Sequence, residues 1–99
     1  MSTSFQFLDT LEAVIRQRLA QGPEGSYTAR LAAQGTLKVA QKVGEEAVEL
    51  ALAAVAQDRA RVTAEGADLM YHLLLLLALR ELSLGDIVAE LESRHRKPQ

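Results

Sequence analysis

Apolar residues recur along this chain at spacings of three and four, and nowhere with the strict alternation of a half-buried strand. Between Ser4 and Gln21 the positions Phe7, Leu8, Leu11, Val14, Ile15 and Leu19 line one side of a first predicted helix. Gly22, Pro23 and Gly25 break that pattern, and Ser26 or Thr28 then offers an N-cap oxygen to a short helical turn running through Ala33, which Gly35 stops. Thr36 to about Gln57 contains no proline and is mostly Ala, Leu, Val, Glu and Lys, which predicts a long second major helix. Asp58 can cap the next, from about Arg59 to Leu82. Their connection is so short that the two must pack as antiparallel neighbours. Ser83 with Asp86 three residues later has the form of a capping box, opening a last helix that ends near Arg96. The pattern therefore predicts one all-α domain over residues 1–99, with its core between about 5 and 96, built as an antiparallel helical bundle.

The two long helices carry the chemistry. At about 100° per residue, Lys38, Lys42, Glu45, Glu46 and Glu49 fall on one stripe of the second major helix, while the rest of its circumference is apolar. On the following helix Arg61, Glu65, Asp68 and His72 share a face that Leu75 and Leu76 continue, so the carboxylates are expected to point inward. Buried carboxylates cost several kcal/mol each unless positive charge compensates them, and Lys42 alone cannot neutralise Glu46, Glu49, Glu65 and Asp68. Two i, i+3 acidic pairs on consecutive antiparallel helices, with hard oxygen donors and no thiolate, suit Mg²⁺ or Mn²⁺. A single E-x-x-E is ordinarily a solvated helix face, and at this level a cation site and a charged surface both remain open. Gly44, in mid-helix, costs about 1 kcal/mol relative to Ala and implies either room beside the acids or close helix packing.

Composition narrows the class. With 48% hydrophobic and only 4% aromatic residues, 99 residues support one core, and two nearly all-apolar helices leave more greasy surface than one protomer covers. A symmetric homodimer or higher homo-oligomer is expected to complete the bundle. The absence of cysteine excludes disulfide scaffolds, zinc ribbons, iron–sulfur clusters and thiol nucleophiles, and fits a cytoplasmic setting. A formal charge of -2 argues against nucleic acid as a partner. No signal peptide is visible, and the longest apolar run, Leu73 to Leu79, is far short of the ~20 residues that span a bilayer, so no membrane association is expected.

Three stretches go further: S-Y-T-A-R-L at 26–31, K-V-G-E-E-A-V-E at 42–49 and E-G-A-D-L-M-Y-H-L-L at 65–74. With them the chain, from about Phe7 to Arg96, resembles the phosphoribosyl-ATP pyrophosphatase family of histidine biosynthesis, a branch of the MazG-like all-α nucleotide pyrophosphohydrolases. The resemblance implies Mg²⁺-dependent hydrolysis of phosphoribosyl-ATP between its α- and β-phosphates, giving phosphoribosyl-AMP and pyrophosphate. By position it makes Glu46, Glu49, Glu65 and Asp68 the metal ligands, with Glu46 at the catalytic centre and Glu45 as an outer-sphere or water-orienting group. Lys38 and Lys42 lie along the stripe where a leaving pyrophosphate needs cations, Arg30 can assist, and Tyr27 can stack on a base or offer its hydroxyl to substrate. His72 is expected to be a hydrogen-bonded core histidine, and Arg94 to Lys97 a solvated helix end. The resemblance also implies oligomerisation, with substrate touching both chains, and the second biosynthetic step alone, without the cyclohydrolase domain fused ahead of it in some relatives. Two other readings stand beside it: a housekeeping nucleoside triphosphate pyrophosphohydrolase of the same superfamily, and a non-catalytic helical dimerisation module.

Overall fold

The structure is a computed structural model and describes residues 4–96. Five helices follow in order, α1 (Phe7–Gln21), α2 (Tyr27–Ala33), α3 (Thr36–Ala56), α4 (Arg59–Leu79) and α5 (Leu84–Arg96), with no strand among the described residues. The caps explain the boundaries. Ser26 accepts the Ala29 N–H at 3.1 Å to open α2, and Asp58 accepts the Arg61 N–H at 2.9 Å to open α4. At the head of α5, Ser83 Oγ accepts the Asp86 N–H at 3.3 Å while Asp86 Oδ2 accepts the Ser83 N–H at 2.9 Å, a reciprocal capping box. Gly35, with φ of 103°, turns the chain sharply between α2 and α3.

Two ends differ from the expectation. α1 begins at Phe7 rather than Ser4, after a turn in which the Gln6 N–H donates to Ser4 Oγ. α4 stops at Leu79, three residues before Leu82. There the Leu82 N–H reaches the Leu77 carbonyl at 2.8 Å and the Glu81 N–H reaches Ala78 at 3.1 Å, with Glu81 in the left-handed region at φ 59°. This is the Schellman arrangement with a glutamate where glycine is usual, so the sequence carries no stop signal at that point.

α3 and α4 form the central antiparallel hairpin, turning through Gln57 and Asp58. Leu74, Leu75 and Val39 from this pair meet Ile15 of α1 and Leu31 of α2 in the buried core. By length and composition α4 would reach across a bilayer, a property that counting uninterrupted apolar runs overlooked; here it is the middle helix of the bundle and turns Glu65 and His72 inward. Glu12 of α1 is buried and accepts the Leu84 N–H at 2.8 Å, tying the start of α5 to α1. A Cβ added at Gly44 would meet nothing within 4 Å, so close packing within the protomer does not explain that glycine.

Candidate metal centre

The hairpin geometry brings Glu46, Glu49 and Glu65 together, with one carboxylate oxygen from each lying within 4.8 Å of the others. Glu46 and Glu65 face each other from the buried sides of α3 and α4, while Glu49, one turn along α3, enters from the exposed rim. Asp68 stands outside this group: it is exposed, and its backbone carbonyl faces His72 Nδ1 at 2.7 Å. At 100° per residue it sits about 60° around the axis from Glu65, which puts it on the open edge of the α4 stripe.

Each buried carboxylate is half-satisfied. Lys42 Nζ lies 3.2 Å from Glu46 Oε1, and an Arg61 guanidinium nitrogen lies 3.1 Å from Glu65 Oε1. The second oxygens, Glu46 Oε2 and Glu65 Oε2, are buried without any hydrogen-bond partner. Buried anionic oxygens left this way are strongly disfavoured, so the donor set lacks a positive group between them. Three hard carboxylates within coordinating reach of a common point fit a divalent cation such as Mg²⁺ or Mn²⁺. The electrostatics agree. The Glu49 carboxyl is pushed above its ordinary value, first by the charge of Glu46, then by burial and by Glu65. The hydrogen bond to Glu46 is the main influence raising Lys42 above its ordinary value.

Around this centre the other sequence candidates divide. Glu45 is exposed and accepts a 3.3 Å bond from Gln41 Nε2, away from the triad. Lys38 is exposed one turn before Lys42, and Arg30 is exposed in the last turn of α2. Tyr27 is half-exposed with its hydroxyl 2.9 Å from His72 Nε2. His72 is buried and hydrogen-bonded on both ring nitrogens, the core histidine that was expected. Arg61, placed on the Glu65 face by the sequence but given no role there, reaches the site; its i to i+4 spacing from Glu65 was the available signal. A cavity of about 220 Å³ lined by Glu49, Leu52, Ala53, Gln57, Arg61 and Glu65 adjoins the carboxylates. A larger one of about 420 Å³, between Arg16, Leu19 and the α4–α5 turn, contains none of them.

Fold and site together define an all-α protein with a cluster of three carboxylates between its two long helices. The profile described as Phosphoribosyl-ATP pyrophosphohydrolase matches residues 8–95, and the chain belongs to that family. It is 58% identical over 91 residues to the phosphoribosyl-ATP pyrophosphatase of Pyrobaculum aerophilum, covering 92% of this chain and 97% of that one. The enzyme of the same name from Pyrobaculum islandicum is 54% identical over 93 residues, covering 94% and 99%. The histidine biosynthesis bifunctional protein HisIE of Xanthomonas campestris is 56% identical over 91 residues, 92% of this chain but 44% of that longer protein.

Proposed function

We propose that the chain hydrolyses phosphoribosyl-ATP to phosphoribosyl-AMP and pyrophosphate, the second step of histidine biosynthesis, using a divalent ion held by Glu46, Glu49 and Glu65. The convergence of these three carboxylates in a family-matching hairpin is the observation that carries this reading. Bound there, Mg²⁺ would supply the positive charge that lets an acidic site accept a triphosphate and would acidify the attacking water. The protein's own groups do the rest. Glu46 and Glu65 present their unpartnered oxygens from a rigid two-helix frame, which fixes ligand direction before anything binds. Asp68, on the open edge one turn beyond Glu65, completes the set when its side chain swings inward. Lys42 stays protonated throughout the neutral range and, with Lys38 and Arg30 further out, offers cations to the departing pyrophosphate. Glu45, exposed beside Glu46 and turned toward Gln41, is left an outer-sphere or water-orienting role, and one carboxylate of the site takes the proton of the attacking water.

The same reading makes the active form a homodimer in the cytoplasm. The protomer exposes 7301 Å² against about 5,500 Å² for a compact monomer of its mass, and its radius of gyration is 15.1 Å where about 13 Å is usual. No residue of α5 is buried, and Ile87, Val88 and Leu91 lie bare along one side of it. Leu37, Val48, Leu52 and Val55 are barer still on α3. These uncovered faces support the reading: a second copy would cover them, with substrate between chains.

Steady-state rates on phosphoribosyl-ATP and on a panel of canonical and modified nucleoside triphosphates test the substrate. Preference for phosphoribosyl-ATP is expected, and equal or faster turnover of a panel member would favour the housekeeping alternative. Millimolar Mg²⁺ should raise the melting temperature, the stabilisation reaching about 2.7 kcal/mol at a hundred times Kd. Glu46→Gln should lose that response together with at least ~100-fold in rate. A chain insensitive to Mg²⁺ and inactive on every nucleotide would instead be the dimerisation module.

A further inference from the structure

We infer that His72 is a positioning residue that turns the Tyr27 hydroxyl into a pure hydrogen-bond acceptor, and that Tyr27 reads an O–H or N–H donor on the nucleoside part of the substrate rather than a phosphate. The tautomer follows from the partners. His72 Nδ1 lies 2.7 Å from the Asp68 carbonyl oxygen, which can only accept, so Nδ1 carries the proton. In an uncharged imidazole Nε2 then holds a lone pair, and at 2.9 Å from it the Tyr27 hydroxyl must donate. The phenol's single proton is thereby committed, leaving its oxygen only lone pairs to present outward.

Packing holds this arrangement. His72 is buried, with Tyr27 and Tyr71 edge-on to its ring at centroid distances of 6.0 and 5.6 Å, and Tyr71 is itself bonded to the buried Thr28 hydroxyl. Tyr27 remains 47% exposed and its bond to His72 is only part-buried, which leaves a ligand a way toward it. It also lies against the α4 stripe that carries the carboxylate centre: its partner His72 follows Glu65 by two helical turns and is bonded to the Asp68 carbonyl, one turn beyond Glu65. A nucleotide placed there meets a cation at Lys42 and an acceptor at Tyr27. Phosphate oxygens, which accept, belong to the first, while sugar hydroxyls and base amines, which donate, belong to the second.

This inference rests on the reaction proposed above, but its first test does not. Long-range ¹H–¹⁵N correlation on the wild-type protein at pH 8 should show His72 protonated at Nδ1 and bare at Nε2, with the Nε2 resonance moving in Tyr27→Phe; a proton on Nε2 would overturn the assignment. In kinetics, Tyr27→Phe should raise KM for phosphoribosyl-ATP roughly tenfold with kcat changed less than about twofold, the size of one lost hydrogen bond. Inhibition by inorganic pyrophosphate, which lacks the nucleoside, should be unchanged. His72→Leu should reproduce the KM effect, His72→Gln should recover most of it through its amide oxygen, and the Tyr27→Phe/His72→Leu pair should be no worse than Tyr27→Phe. Weaker pyrophosphate inhibition in Tyr27→Phe, an unchanged KM, or additive losses in the pair would each refute the role. If the wild-type chain left phosphoribosyl-ATP intact, the reaction would fall while the nitrogen spectrum still decided the tautomer.

Discussion

Glu49 enters a corner already occupied by two buried anions, and its raised pKa records the repulsion. The sign of the consequence is fixed by linkage. A carboxyl whose folded pKa lies above its unfolded value, here 4.5, contributes stability that is present below 4.5 and lost as the pH climbs through the raised value. Metal-free protein should therefore lose stability from this group just above pH 4.5, and Glu49→Gln should abolish that slope in denaturant midpoints measured across pH 4 to 7 and leave the metal-free fold more stable at neutrality. Mg²⁺ binding should tighten over the same window, as the proton it must displace leaves on its own. At this scale the meeting of Glu46, Glu49 and Glu65 was readable, because i, i+3 spacing puts the first two on one face of a helix whose antiparallel neighbour carries Glu65 at a comparable distance from the turn. It was less so for Asp68, whose position on the stripe is right but whose side chain lies on the open edge. Pairings such as Tyr27 with His72, or Glu12 with the Leu84 amide, join residues 45 and 72 positions apart and left no periodic trace.

Helix boundaries were legible where a side chain caps them. Ser26, Asp58 and Ser83 act locally, each accepting from an amide three residues on, so their side chains announce the structure they make. The end of α4 depends on Glu81 adopting φ 59°, a conformation that glutamate does not advertise and that costs roughly 1–2 kcal/mol for a residue with a Cβ. Glu81→Gly should accordingly stabilise the protein by about 1 kcal/mol, read as a higher urea midpoint with unchanged slope. A loss of stability there would mean that the Glu81 side chain contributes something beyond its backbone.

For the whole molecule, composition already foretold more apolar surface than one protomer could cover, while its location became visible only with the fold. Leu84, Ile87, Val88 and Leu91 repeat at helical spacing on α5, yet only Leu84, which packs on the core, is partly covered. Charge placed on that stripe should divide the proposed dimer: the parent chain should sediment as a dimer, and Ile87→Asp with Leu91→Asp as a monomer at the same concentration. Turnover should fall with it if substrate spans both chains. An unaltered sedimentation coefficient would move the interface to the bare face of α3.

The tight turn at Gln57 and Asp58 has a consequence for biosynthesis of the chain itself. Because it places Glu46 and Glu65 on either side of one reversal, 19 positions apart in sequence, both arms are made within a few seconds of each other during translation. The carboxylate corner can thus form as a local event, before α5 has left the ribosome and before any second copy is at hand.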